Sequence, residues 1–397
     1  MTSPYYSVAT CSYNLRSMLR IAIIGAGIGG LTTAASLRLH GLEAQVYERR
    51  SELKSEGSGL LLPCNAMQVF NRLGIGQAVV DSGNRIDLLE LLDHRNEPLR
   101  TTDLRAFAER HKAVTVAITR ARLHAILVDS LPFNSLHFGS SCKEIRSNSR
   151  SVCATFANGG QIECDLLIGA DGLQSSVRGH VREDVKPRYS GQSSYRGIAS
   201  FDLPMALRHT SREFWGPGRR AGFVPLRDGE VYWFATFNAR PGETESAGEV
   251  GLRLADLAAS FPEPLAAVIS QTRQDDVLRT DTRDLPAIDW SRNRVLLIGD
   301  AAHATTPDLG QGGAQAIEDG FALAKALSDA SDTFAALRIF EAARRPKANL
   351  VAKRSRQIGK LAHLSHPVAI ALRNRLIRSF PERLARKHLD SMFSLTF

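Results

Sequence analysis

The strongest constraint in the chain is the stretch Arg20–Gly30, RIAIIGAGIGG. Its apolar run, Ile21-Ala22-Ile23-Ile24, reads as a strand buried on both faces, as in a parallel sheet. The strand runs straight into G-x-G-x-x-G at Gly25, Gly27 and Gly30. Helix formers continue to Leu39, with Gly41 as a C-cap, and a second strand, Glu43–Tyr47, stops at Glu48. In such an arrangement Gly25 makes the tight turn and Gly27 removes the Cβ that would block a pyrophosphate. Gly30 lets helix and strand pack closely. The helix N-terminus offers N–H groups and partial positive charge to phosphates. An acid roughly 20 residues on is placed to hold ribose hydroxyls. Here that acid is Glu48, with Arg49 beside it. A lone glycine fingerprint says little, but strand, glycines, helix, strand and acid in this order specify dinucleotide binding.

The 397 residues suffice for one large or two medium domains. No apolar run approaches the ~20 residues that span a bilayer, and Met1–Ser17 lacks the apolar core of a signal peptide. Five scattered cysteines form no C-x-x-C pair and no metal-like spacing, which suits free thiols in a reducing cytoplasm and implies no metal site. The net charge of +9 comes largely from the basic stretch Arg338–Lys387, where few aromatics are interleaved. That pattern suits a solvated helical face rather than nucleic-acid binding.

Two further strands repeat the motif of an apolar run ending in glycine and acid. Cys164–Gly169 leads to Asp171-Gly172 and a helix start at Ser175–Arg178. Arg294–Ile298 leads to Gly299-Asp300, a loop with Pro307, Gly310, Gly312 and Gly313, and a helix over Ala314–Leu327. Between them, from about Val181, come β-like segments at Ser190–Leu203, Glu213–Trp215, Ala221–Leu226 and Glu230–Asn238, separated by Pro/Gly turns. They predict an antiparallel sheet inserted into a nucleotide-binding α/β fold. A helix over Ala121–Ser130 begins just after Arg120, and Phe334–Leu389 is largely helical with a break near His366-Pro367.

Gly25-x-Gly27-x-x-Gly30, Asp171-Gly172 before Arg178, and GDAAHATTPDLGQGGAQAIEDG from Gly299 resemble the single-component FAD-dependent aromatic hydroxylases, the para-hydroxybenzoate hydroxylase-like family. The resemblance covers roughly residues 18–360. It implies an α/β, Rossmann-type FAD-binding domain carrying an inserted antiparallel β-sheet substrate domain, with C-terminal helices. The corresponding boundaries are a flexible extension over 1–17, FAD-binding parts at 18–180 and 281–360, a substrate sheet at 181–280, and helices at 361–397. It further implies that Glu48 holds the adenosine ribose and that Arg120 reaches the cofactor. Asp171 would close the nucleotide fold near FAD, Asp300 would bind the ribityl chain, and Pro307 to Gly313 would wrap the isoalloxazine edge. Ala314 departs from the asparagine or cysteine of many relatives. The N–H dipoles at the helix start near Gly312 suit a charge at flavin N1 and O2.

The implied chemistry uses NADH or NADPH and O2 to hydroxylate an aromatic or heteroaromatic small molecule through a C4a-hydroperoxyflavin. Arg220 and Tyr232, in GRRAGFVPLRDGEVYWF, and Asp308 are similar in placement to substrate-site residues of the FAD-dependent urate hydroxylase branch. Arg196 is a further candidate. The salicylate and alkylquinolone hydroxylases resemble the chain too. A lipid or isoprenoid alkene epoxidase and a non-oxygenating flavin reductase remain alternatives. Pro367–Arg386 alternates apolar and basic residues. Packing on the FAD domain is its plainer role, and contact with a membrane surface the less favoured one. Both a monomer and a homodimer are compatible with the sequence.

Overall fold

A computed structural model describes residues 19–52 and 58–397; the extension expected at 1–17 lies outside them. The nucleotide-binding layer is a six-stranded sheet. Its order is Ser291–Arg292, Val295–Leu297, Leu166–Gly169, Ile21–Ile24, Ala44–Tyr47 and Leu136–His137. All neighbours are parallel except the first pair. Every residue of Ile21–Ile24 and Leu166–Gly169 is buried, as unbroken apolar runs require. The helix Ile28–Leu39 returns across the sheet and meets the helix Gly312–Asp329 closely. A Cβ on Gly320 would lie 2.7 Å from Thr33 Oγ1, so only glycine permits this approach.

The second layer is a seven-stranded sheet with the order Leu278–Asp284, Arg188–Ser200, Glu230–Asn238, Arg219–Pro225, Thr210–Gly216, Leu88–Asp93 and Pro98–Asp103. Its pairing is antiparallel apart from Thr210–Gly216 with Leu88–Asp93, which is parallel. The last two strands fall within 18–180, the segment assigned from sequence to the first FAD-binding part. In the structure they instead join the seven-stranded sheet. Strand alternation gives the sheet two distinct faces. One buries Tyr195, Phe214, Phe223, Trp233 and Phe237 under the helices Ala247–Ser260 and Leu265–Gln271. A capping box starts the first of these, with Ser246 and Glu249 bonding each other's backbone N–H.

The opposite face places Arg220 across from Thr236, Val224 across from Tyr232, and Phe234 across from Arg196. This polar face looks toward the nucleotide-binding layer. The long helix Thr333–Ala362 runs alongside Gly312–Asp329. The helix Pro367–Ser379 then lies on the outer strand Pro98–Asp103, and Glu382–Phe393 returns to the helix Cys64–Arg72. The C-terminal helices therefore pack on both layers, not on the layer of the six-stranded sheet alone.

Candidate functional site

A cavity of about 420 Å³ opens between the ends of the parallel strands and the polar face of the facing sheet. Gly25, Gly27, Glu48, Arg49, Arg120 and Asp171 line it from one side, and Arg196, Leu278 and Thr280 from the other. The three glycines divide their tasks. Gly25 has φ +107°, and a Cβ there would stand 2.5 Å from the Ala170 carbonyl oxygen. A Cβ on Gly30 would stand 2.0 Å from the Gly25 carbonyl oxygen. A Cβ on Gly27 would meet nothing within 4 Å. The fold itself demands the first and third, whereas the second keeps the cavity mouth clear for an incoming group.

The Glu48 carboxylate accepts from the Ala26 N–H at 2.9 Å and the Arg50 N–H at 3.0 Å. It ties the glycine turn to the end of the second strand on the cavity wall. Asp171 caps the helix Ser176–Val181, accepting from the backbone N–H of Ser176 at 2.7 Å and Val177 at 3.2 Å, and from the Ser175 hydroxyl. Behind it the buried Arg178 donates to the carbonyls of Leu173 and Ala301, tying this turn to the Gly299-Asp300 turn. Arg120 opens the helix Arg120–Asp129, whose N-cap hydroxyl, Thr119, accepts from the Arg122 N–H.

Sequence reasoning missed His124, one turn beyond Arg120 on the same helix, which also lines the cavity. Burial, aided by Arg120 and Arg50 and opposed by Glu48, pushes its imidazole down to about 4. It is neutral at physiological pH. Its Nε2 is buried with no hydrogen-bond partner among the described residues. Ser58, Ser140, Ser141 and Gln174 also line the cavity, and all come from loops without a motif.

The loop after Gly299-Asp300 is fixed from behind. The Asp319 carboxylate accepts from the Gly299 N–H at 3.0 Å and contacts His303 Nε2 at 2.6 Å. The Ser355 hydroxyl donates to the Thr306 carbonyl at 2.6 Å, and the Asn65 amide donates to Gln311 Oε1 at 3.0 Å. Gln311 thus turns inward, Gly310 has φ +63°, and the helix Gly312–Asp329 begins with free N–H groups. Asp300 opens the short helix Asp300–His303, is exposed, and does not line the cavity. The protein packed around it raises its carboxyl, against the opposing charges of His303 and Arg120.

The loop also brings Asp308 to the facing sheet. Arg220, 2% exposed, lies 3.4 Å from Asp308 Oδ1 and 2.9 Å from Glu213 Oε1. Its Nε donates to the Thr236 hydroxyl at 3.2 Å, and that hydroxyl is 2.9 Å from His363 Nε2. Asp308 Oδ2 is buried without a hydrogen-bond partner among the described residues. Gly359 makes room for this carboxylate, since a Cβ there would stand 2.5 Å from Asp308 Oδ2. Gly59 does the same for Tyr232, whose Cβ would be 2.5 Å away. Burial raises the Tyr232 phenol, while Arg196, Arg120 and Arg220 pull it the other way. Pro307, Gly310, Gly312 and Gly313 do not line the cavity, and neither do Asp308 on the same loop nor Arg220 and Tyr232 on the facing sheet.

A family model described as an FAD binding domain matches residues 18–355. The chain belongs to that family. It is an FAD-dependent enzyme of the monooxygenase and hydroxylase kind. An aurachin C monooxygenase/isomerase from Stigmatella aurantiaca is 34% identical over 365 residues, 92% of this chain and 95% of the relative. A 2-heptyl-3-hydroxy-4(1H)-quinolone synthase from Pseudomonas aeruginosa is 31% identical, covering 95% of this chain and 98% of the relative. The structure of Klebsiella pneumoniae HpxO complexed with FAD and uric acid superimposes with a TM-score of 0.88 at 26% identity. It covers 95% of this chain and 97% of that one. The residues present fit FAD: a glycine turn with a clear mouth, an acid at the end of the second strand on the cavity wall, and an unpartnered neutral imidazole beside it.

Proposed function

We propose that the enzyme hydroxylates an aromatic or heteroaromatic small molecule held between the loop Pro307–Gly313 and the polar face of the seven-stranded sheet. NADH or NADPH and O2 are the co-substrates, and the compartment is the cytoplasm. Bound FAD supplies the redox chemistry. Gly25, Gly27, Glu48, Arg49, Arg120 and Asp171 hold its nucleotide end; Asp300, Pro307, Gly310, Gly312 and Gly313 hold the flavin end.

The observation that carries this reading is the buried meeting of Arg220 with Asp308, 3.4 Å apart, one on the sheet and one on the flavin loop. Arg220 is held by Glu213 and Thr236, so its guanidinium is pre-aimed and loses little freedom on gripping a carbonyl or anionic oxygen. Asp308 holds Arg220 in place, and its buried Oδ2, packed against Gly359, has no hydrogen-bond partner among the described residues. Tyr232 keeps its proton and can donate to, or orient, an oxygen of the ring. Two relatives support a nitrogen heteroaromatic, since one is named for a quinolone and another was solved with uric acid.

The test is a panel of such compounds, read by NAD(P)H consumption, O2 uptake and a product mass increased by one oxygen atom. A true substrate stimulates all three. Tyr232→Phe should lose about tenfold or more in kcat/KM, equivalent to ~1.4 kcal/mol of transition-state stabilisation. Arg220→Ala should raise KM, with FAD content checked in parallel. If both variants keep wild-type kcat/KM, the assigned substrate site is wrong.

A further inference from the structure

The two C-terminal helices leave one face uncovered. In Pro367–Ser379 the buried side consists of Ile370, Arg373 and Asn374. Val368, Leu372 and Leu376 recur every four residues on the other side and are 70%, 57% and 61% exposed. At about 100° per residue they occupy a stripe of ~80°, roughly opposite the buried one. Phe380 and Leu384 extend the exposed apolar row into the next helix. A helix that turns an apolar row outward is not built for water alone.

This face is well anchored from inside. The Arg373 guanidinium lies 5.3 Å from the Trp215 ring, and Arg100 donates to the carbonyls of Ile377 and Phe380. Phe393 packs edge-on against Phe107 at 5.3 Å. The outer row is therefore presented rigidly.

Cations flank it. Pro367–Phe393 carries six Arg and Lys against two acids. Arg375, Arg378, Arg383, Arg386 and Lys387 are all exposed. Arg383, Arg386 and Lys387 join Arg110 around a surface hollow of about 420 Å³ over Phe107, where the sole acid is Asp390. That acid is already engaged by Arg110 at 3.1 Å and by His111 at 2.9 Å.

We propose that this helical hairpin docks on the surface of a bilayer containing anionic lipid. Val368, Leu372, Leu376 and Leu384 enter the acyl boundary, and the surrounding Arg and Lys reach the headgroup phosphates. The helices lie in the plane of the surface, since no helix among the described residues is long and apolar enough to cross a membrane. A second copy of the chain is the poorer occupant. A two-fold contact would set the same cations against each other, whereas an anionic surface neutralises them. The proposal concerns the surface alone and stands or falls independently of the substrate.

Purified FAD-loaded enzyme is sedimented with vesicles of phosphatidylcholine, and with the same vesicles doped with phosphatidylglycerol. Binding should appear with phosphatidylglycerol and weaken as salt is raised. The double variant Leu372→Glu/Leu376→Glu should lose about tenfold or more in partitioning. Arg383→Glu/Lys387→Glu should abolish the preference for phosphatidylglycerol. Both should keep the FAD content and, by light scattering, the mass of the wild type. The proposal is overturned if wild-type protein stays in the supernatant with doped vesicles, or if the leucine variant binds as wild type does. A wild-type dimer that the leucine variant splits would equally overturn it, assigning the face to a second copy.

Discussion

Replacing Arg344 by methionine probes how the loop around Asp300 is held in place. Arg344 is fully buried on the long helix Thr333–Ala362. Its guanidinium donates to Asp319 Oδ1 at 2.8 Å, to Glu318 Oε2 at 2.5 Å, and to the Gln315 carbonyl and side chain at 3.2 and 2.8 Å. Glu318 and Asp319 are themselves fully buried. Methionine fills much of the volume but leaves two carboxylates short of a counter-charge. Breaking a buried pair from one side costs about 3–5 kcal/mol. Lys347 still grips Glu318 at 2.8 Å, and His303 and the Gly299 N–H still hold Asp319. The expected loss is therefore at the lower end, about 3 kcal/mol.

The assay is urea denaturation of wild type and variant at several pH values, with flavin fluorescence reporting FAD release. The wild-type Asp319 carboxyl lies down at about 2, held there by His303 and Arg344 against burial. Its stabilisation is complete above the ordinary carboxylate range and is lost as pH falls toward that value. Without Arg344 the Asp319 carboxylate takes up its proton at higher pH, so the difference between the proteins should shrink on acidification. FAD should leave the variant at lower urea, because Asp319 positions Gly299. A loss below about 1 kcal/mol at neutral pH, or one independent of pH, would refute the reasoning.

Other perturbations separate the roles of neighbouring residues. Gly30→Ala should abolish yellow, FAD-loaded protein, since its methyl would collide with the Gly25 carbonyl oxygen. Gly27→Ala should leave the apo-protein's melting temperature unchanged but weaken FAD about tenfold or more, ~1.4 kcal/mol, by fluorescence titration; equal melting losses in both variants would contradict this division. His124 is held neutral down to about 4 although its ordinary value is 6.5, so the unfolded chain binds its proton first. Stability should hold above that ordinary value and decline as pH falls from there to about 4, and His124→Gln should flatten the decline in a pH series of thermal melts.

Local pattern carried much of the fold. Three apolar runs ending in Gly or Gly-Asp marked the central parallel strands, because burial on both faces leaves an unbroken hydrophobic signature. The sheet that the strand Leu88–Asp93 joins was not legible locally, because its partner Thr210–Gly216 lies more than a hundred residues away. Short helices such as Gly76–Ser82 and Arg105–His111 gave too few turns for a periodic signal.

The sequence by itself determined the nucleotide-binding fingerprint, the sheet inserted into it, and the residue types available for holding a flavin. These rest on backbone sterics and hydrophobic period, which a few neighbouring residues express. Only the tertiary structure decided that Asp308 meets Arg220, that Gly59 and Gly359 clear space for Tyr232 and Asp308, and that Asp319, Ser355 and Asn65 brace the Gly299–Gly313 loop from behind. It alone brought His124 to the cavity wall. A buried polar group needs a partner, and which one it finds depends on how distant segments cross.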